Sequence, residues 1–149
     1  MTAARGDSNV HGVCLAMAGR AVLLRGPSGS LKSDLALRFL SRFAAEGAVL
    51  VADDQVLLRV HDGVILARAP AAIAGKLEVR GIGIVDVPAS GEARLVLVAV
   101  LGDASEIPRL PPDPPPSARI CGVELPLVRL DPREASAPEK LKLALTRRL

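Results

Sequence analysis

Aromatic side chains are almost missing: two Phe, no Tyr and no Trp in 149 residues. Single-stranded nucleic acid is gripped by stacking its bases on such rings. The basic residues are also scattered, apart from Arg147-Arg148. No nucleic-acid partner is expected. Cysteine is scarce as well, with only Cys14 and Cys121, far apart and without CxxC spacing or a nearby His pair. Two buried thiols in strands are expected, a disulfide between them being the alternative, and zinc is not expected. No apolar run approaches the ~20 residues of a membrane helix; Leu95–Leu101 is among the longest. Met1–Asn9 is small and polar and lacks the apolar stretch of an export signal. A cytoplasmic location and no membrane association are expected. Neither sign of charge dominates: the formal charge is +3 and the pI about 9.3, which favours an acidic protein partner over nucleic acid.

Half of the residues are hydrophobic, enough for one domain with a real core. The apolar runs 13–18 and 21–25, separated by Gly19-Arg20, read as a tight hairpin. The second run feeds into Gly26–Ser33. After that loop Leu35, Ala36, Phe39, Leu40 and Phe43 recur at helical spacing, with Gly47 as a stop. Ala48–Ala52 reads as a buried strand with Asp53-Asp54 at its carboxyl end. His61-Asp62-Gly63 marks a hairpin turn, and KLEVRGIGIVDV reads as two extended pieces bent at Gly81 and Gly83. Leu95–Leu101 is a buried-strand candidate. Five prolines between Leu110 and Ser117 make a stiff loop. A short strand pair is expected around 120–130. Ser136 and Glu139 then fit the capping box of a C-terminal helix that places Leu141, Leu145 and Leu149 on one face.

Gly26-Pro27-Ser28-Gly29-Ser30-Leu31-Lys32-Ser33 has the spacing of a Walker A loop, G-x-x-x-x-G-K-[ST]. Such a loop wraps backbone N–H groups around a phosphate at a helix N-terminus. Its Lys reaches the outer phosphates and its Ser ligates Mg²⁺. A strand before and an amphipathic helix after give the right setting. The glycine before the lysine, however, is Leu31. A Leu held at positive φ there costs about 1–2 kcal/mol, and it weakens nucleotide binding or leaves the loop misshapen until ligand arrives. Asp53-Asp54 falls where a P-loop protein carries its Walker B acid: one acid to hold Mg²⁺ through water, the other to act as base toward an incoming hydroxyl.

His11-Gly12-Val13, GPSGSLKSDLAL, LVADDQV and above all LEVRGIGIVDV together resemble the catalytic domain of the HPr kinase/phosphorylase family. The likeness is clear over about residues 10–87 and traceable beyond. The resemblance implies an α/β fold: a single P-loop domain over 10–149, a mixed sheet with a P-loop helix and a C-terminal helix, preceded by a flexible N-terminus over 1–9. The resemblance implies one of the family's short, catalytic-domain-only members, without the separate N-terminal domain. The resemblance further implies ATP-dependent phosphorylation of a serine on the phosphocarrier HPr or an HPr-like protein, reversed by inorganic phosphate with release of pyrophosphate, and assembly as a homo-hexamer. Residue by residue, it makes His11 an active-site histidine and Lys32 the phosphate-loop lysine. Asp54 becomes the acid/base and Arg109 the arginine of a mobile catalytic loop. Ser33, Asp53 and Glu78 serve the Mg²⁺ site, and Arg129–Glu134 corresponds to a loop tied to dephosphorylation. Leu31 leaves one alternative, a catalytically impaired pseudokinase acting as a regulatory protein-binding module.

Overall fold

Strands buried on both faces read as unbroken apolar runs, and Ala21–Leu24 is such a run, every residue of it buried. The computed structural model describes residues 7–29 and 31–147. β1 (Asp7–Met17) and β2 (Arg20–Arg25) form the expected hairpin, and α1 (Lys32–Arg42) follows the Gly-rich loop. β3 (Val49–His61) and β4 (Val64–Arg68) form a second hairpin, and β5 (Lys76–Val79) and β6 (Gly83–Asp86) a small one of their own. β7 (Glu92–Leu101), β8 (Ser117–Ile120), β9 (Val123–Leu130) and α2 (Ala137–Thr146) complete the chain. Among the described residues no helix is long and apolar enough to cross a membrane.

The strand pairings close on themselves. β1 pairs antiparallel with β2 and β3, β3 with β4, and β4 with the first half of β7, while β7 runs parallel to β2. The circuit β2-β1-β3-β4-β7 therefore returns to β2. β9 adds in parallel to the far half of β7, and β8 lies antiparallel to β9. Two cores result. One is built from strand residues alone, among them Cys14, Leu23, Val56, Ile65 and Val98. The other lies between the opposite strand faces and the two helices, where Leu15, Leu24 and Leu97 meet Phe39, Leu141 and Leu145. The expected mixed α/β domain with two helices is the observed architecture.

Four expectations need correction. Residues 7–9, expected in a flexible N-terminus, are strand: Asp7, Ser8 and Asn9 pair with Arg59, Leu58 and Leu57, and the rest of that segment lies outside the described residues. The strand expected to end at Asp53-Asp54 continues past them to His61, because β1 supplies partners from Val49 to Arg59 and β4 pairs the remainder. Cys121 is exposed in the β8–β9 turn rather than buried in a strand; Cys14 is buried, and both are free. Burial pushes the Cys14 thiol well above its ordinary pKa. Finally, Ser136 precedes α2 without a side-chain capping bond. Glu139, its intended partner, instead accepts from Arg42 of α1 at 2.7 and 2.8 Å. Leu141 and Leu145 are buried as expected, and Leu149 lies outside the described residues.

Candidate active site

β2 delivers the loop, and α1 receives it. Gly26 and Pro27 leave the strand, Ser28 and Gly29 turn in solvent, and Ser30 lies outside the described residues. Leu31 is the N-cap of α1 with φ 69° and ψ 28°, in the left-handed region, and it makes no side-chain cap. Its carbonyl accepts from the Leu35 amide at 2.9 Å, so the helix starts correctly despite the residue type. Leu31 is 42% exposed. Lys32 is buried, and its Nζ donates to the carbonyl oxygens of Gly26 at 2.8 Å and Pro27 at 3.1 Å. The ammonium thus lies against the first turn of the loop.

One residue on, the Ser33 hydroxyl donates to Asp53 Oδ1 at 3.3 Å. The other carboxylate oxygen of Asp53 accepts the backbone N–H of Glu78 at 3.0 Å. A buried carboxylate has to be matched by donors, and these two match it. Leu77, fully buried in the helix-side core, anchors β5 so that Glu78 comes next to Asp53. Ser33, Asp53 and Glu78 are all hard oxygen donors. Mg²⁺ usually takes one or two carboxylates and leaves the rest of its sphere to water and phosphate. Among the described residues no three His, Cys, Asp or Glu converge on one point.

Asp54 goes elsewhere. Its φ of 71° interrupts the regular alternation of β3. Its Oδ1 lies 3.1 Å from Nδ1 of His11 on β1, both side chains being mostly exposed. Gly12, next to His11, pairs with Asp54, and a Cβ there would sit 2.7 Å from the carbonyl oxygen of Leu24. Only glycine fits between these strands. The predicted residues thus fall into two groups joined only by the adjacency of Asp53 and Asp54: Ser33 and the Glu78 amide on Asp53, and His11 on Asp54, with Lys32 turned to the Gly26 and Pro27 carbonyls.

Arg109 does not join them through any bond among the described residues. It is exposed in the loop after β7, which leaves the same end of the sheet as the phosphate loop because β2 and β7 run parallel. Arg129, also exposed, stands at the end of β9 beside Val100. The segment that follows contains a network the sequence reading missed. The buried Asp131 carboxylate accepts the backbone N–H groups of Ala104 and Arg133, both at 2.9 Å. It also receives the Arg133 guanidinium at 3.0 and 2.9 Å, which reaches on to Asp103 at 2.8 Å. The Arg133 guanidinium first, and then the two backbone amides, hold the Asp131 carboxyl far below the ordinary carboxylate range. Loops leaving β7 and β9 are pinned together there. The signal available in sequence was one acid after each apolar run, Asp103 and Asp131, with Arg133 two residues beyond the second.

Residues 3–96 match the family described as HPr Serine kinase C-terminal domain. The HPr kinase/phosphorylase of Clostridium acetobutylicum is 41% identical over 83 residues, covering 56% of this chain and 26% of that one. That of Clostridium novyi (strain NT) is 42% identical over the same length and coverage. The chain therefore spans about a quarter of the length of the curated relatives it matches (26%). The solved structure of the HPr(Ser) kinase/phosphatase from Coxiella burnetii shares the fold, with a TM-score of 0.76 over 91% of both chains at 24% identity. Because the match over residues 3–96 takes in more than half of the sequence, the chain belongs to the HPr serine kinase C-terminal domain family.

Proposed function

We propose that this domain transfers a phosphoryl group from ATP to a serine of HPr or an HPr-like carrier, and removes it again with inorganic phosphate. The observation that carries this reading is the split of adjacent acids on β3. Asp53 turns to Ser33 and the Glu78 amide, while Asp54 turns to His11. Adjacent residues of an ordinary strand would face opposite sides of the sheet; the positive φ at Asp54 breaks that alternation, which supports a reading in which both acids serve one site.

In the forward direction the loop from Gly26 to Ser33 and Lys32 hold the nucleotide phosphates. The carrier serine oxygen attacks the γ-phosphorus, the bond to the β–γ bridging oxygen breaks, and Asp54 takes the serine proton. His11, 3.1 Å from Asp54, orients that carboxylate. In reverse, the loop holds inorganic phosphate. A phosphate oxygen attacks the phosphoserine phosphorus, Asp54 returns a proton to the departing serine oxygen, and pyrophosphate leaves. Ser33, Asp53 and Glu78 would hold Mg²⁺, which when bound offsets phosphate charge. Arg109 approaches the transferred group from the loop after β7. We extend the reading to a cytoplasmic homo-oligomer, a hexamer by family resemblance.

Leu31 supports a second reading, a pseudokinase that docks a carrier without turnover. A leucine in left-handed backbone at the helix start is strained where glycine would not be. Calorimetric titration of Mg·ATP and of phosphate into the wild type and Leu31→Gly separates the two. Measurable binding and phosphoryl transfer to HPr by the wild type supports the enzyme. Binding by the glycine variant alone supports the pseudokinase.

A further inference from the structure

A cavity of about 270 Å³ opens at the end of the sheet opposite the phosphate loop. Its walls come from the amino-terminal ends of β2, β7 and β9, the β3–β4 turn and the last turn of α2. Three arginines line it: Arg20, Arg94 and Arg147. Arg20 and Arg94 are direct partners in the parallel β2–β7 ladder. Like charges placed opposite each other in a sheet repel, so such a pair calls for a counter-charge.

Among the described residues no carboxylate forms an ion pair with either of them. Arg20 Nε donates to the Leu145 carbonyl at the end of α2, at 3.0 Å, leaving its terminal nitrogens for the cavity. Among the described residues one carboxylate lies on the wall, that of Glu124, which accepts from the Ser117 hydroxyl at 3.4 Å. Among the described residues no ion pair joins Glu124 to an arginine, and none engages Arg94 or Arg147. Elsewhere in the sheet arginines do meet carboxylates. Arg59 pairs with Glu92 and Arg68 with Asp7.

We propose that this cavity is a second anion site that takes a compact, multiply charged anion, a phosphate ester or a polycarboxylate. Guanidinium groups recognise the planar or tetrahedral oxygens of either class through paired N–H donors. The volume is below the roughly 300–1,000 Å³ of pockets for drug-sized ligands, which restricts the occupant to a small metabolite. The site stands at the far end of β2 from Lys32, so its ligand is distinct from the phosphates held by the loop.

Calorimetry on the full chain in magnesium-free buffer of fixed ionic strength tests this, with glycerol 3-phosphate and citrate as separate probes. At least one probe should bind the wild type and Lys32→Ala equally. Arg94→Gln and Arg147→Gln should each weaken that binding about tenfold, the equivalent of one charge-assisted contact. Which probe binds identifies the class of anion. Both arginines are exposed, so thermal melts of the variants should match the wild type, and if one variant fails to fold the other gives the same reading. The proposal is overturned if neither probe binds, if binding falls with Lys32→Ala, or if it survives both arginine substitutions.

Discussion

Leu31 and Asp54 share a backbone conformation, φ 69° and φ 71°, but for different reasons. Aspartate tolerates the left-handed region better than leucine, since its short polar side chain bonds locally. At Asp54 the conformation reorients the carboxylate; at Leu31 it only lets the helix begin. Asp54→Asn keeps the shape and removes the proton acceptor. We expect phosphoryl transfer in both directions to fall by about 10²–10⁴-fold, read in assays with HPr and phosphorylated HPr, with an unchanged thermal midpoint because the side chain is mostly exposed. Gly12→Ala is the opposite case. Its methyl group would meet the Leu24 carbonyl at 2.7 Å and Leu23 Cδ1 at 3.0 Å, and both belong to a paired strand that cannot retreat. Overpacking of this kind costs about 1–3 kcal/mol, visible as a lower urea midpoint at unchanged slope. The requirement for glycine at position 12 is invisible in the sequence, because it arises from β2 passing close to β1 rather than from any turn.

At the scale of elements, the loops leaving β7 and β9 depend on Asp131. Its folded-state pKa is depressed, chiefly by the Arg133 side chain. Its contribution to stability is therefore complete above the ordinary carboxylate value of about 3.9 and fades as pH falls below it. Thermal midpoints measured from pH 6 downward should drop in the wild type below about pH 4. In Asp131→Asn the midpoint should be lower at neutral pH, and that part of the acid slope should be absent. The sequence made local elements readable: the Asp62-Gly63 turn lies where expected, with φ 51° and 76°, and the helical spacing from Leu35 matches α1. It failed where one element's side chain was claimed by another. The Ser136–Glu139 capping box is correct as a pattern, yet Arg42 on α1 holds Glu139. Likewise the acids at 53 and 54 look like a strand end because charge usually marks one, and only the partner strand β1 carries the ladder through them. Of the candidate site, Lys32, Ser33, Asp53 and Asp54 were nameable from motifs, and His11 only through the family resemblance. The bond from the Glu78 amide to Asp53 was not, since it depends on where the small hairpin docks.

For the molecule as a whole, the circuit of five strands and the helix-side core make one cooperative unit. α2 seals that core with Leu141 and Leu145, both fully buried, and its Leu145 carbonyl accepts from Arg20. Replacing one such leucine by alanine costs about 2–5 kcal/mol, against a total stability of about 5–15 kcal/mol for a domain. Ending the chain at Ser136 removes both, so we expect calorimetry to show no cooperative melting peak. The closure of the circuit was not legible in the sequence. It rests on β2 meeting β7, strands far apart in the chain, and no local pattern announces a non-local pairing.

That same parallel pairing sets an order of events at the ribosome. β2 emerges early with one flank open, and the strand that covers it is translated only after β3, β4 and the small hairpin. Until then the segment from Gly26 to Ser33 hangs from an unsupported edge. A nascent chain halted short of Leu101 should consequently be easy prey for a protease within residues 21–24, whereas in the finished protein those residues are buried and should resist.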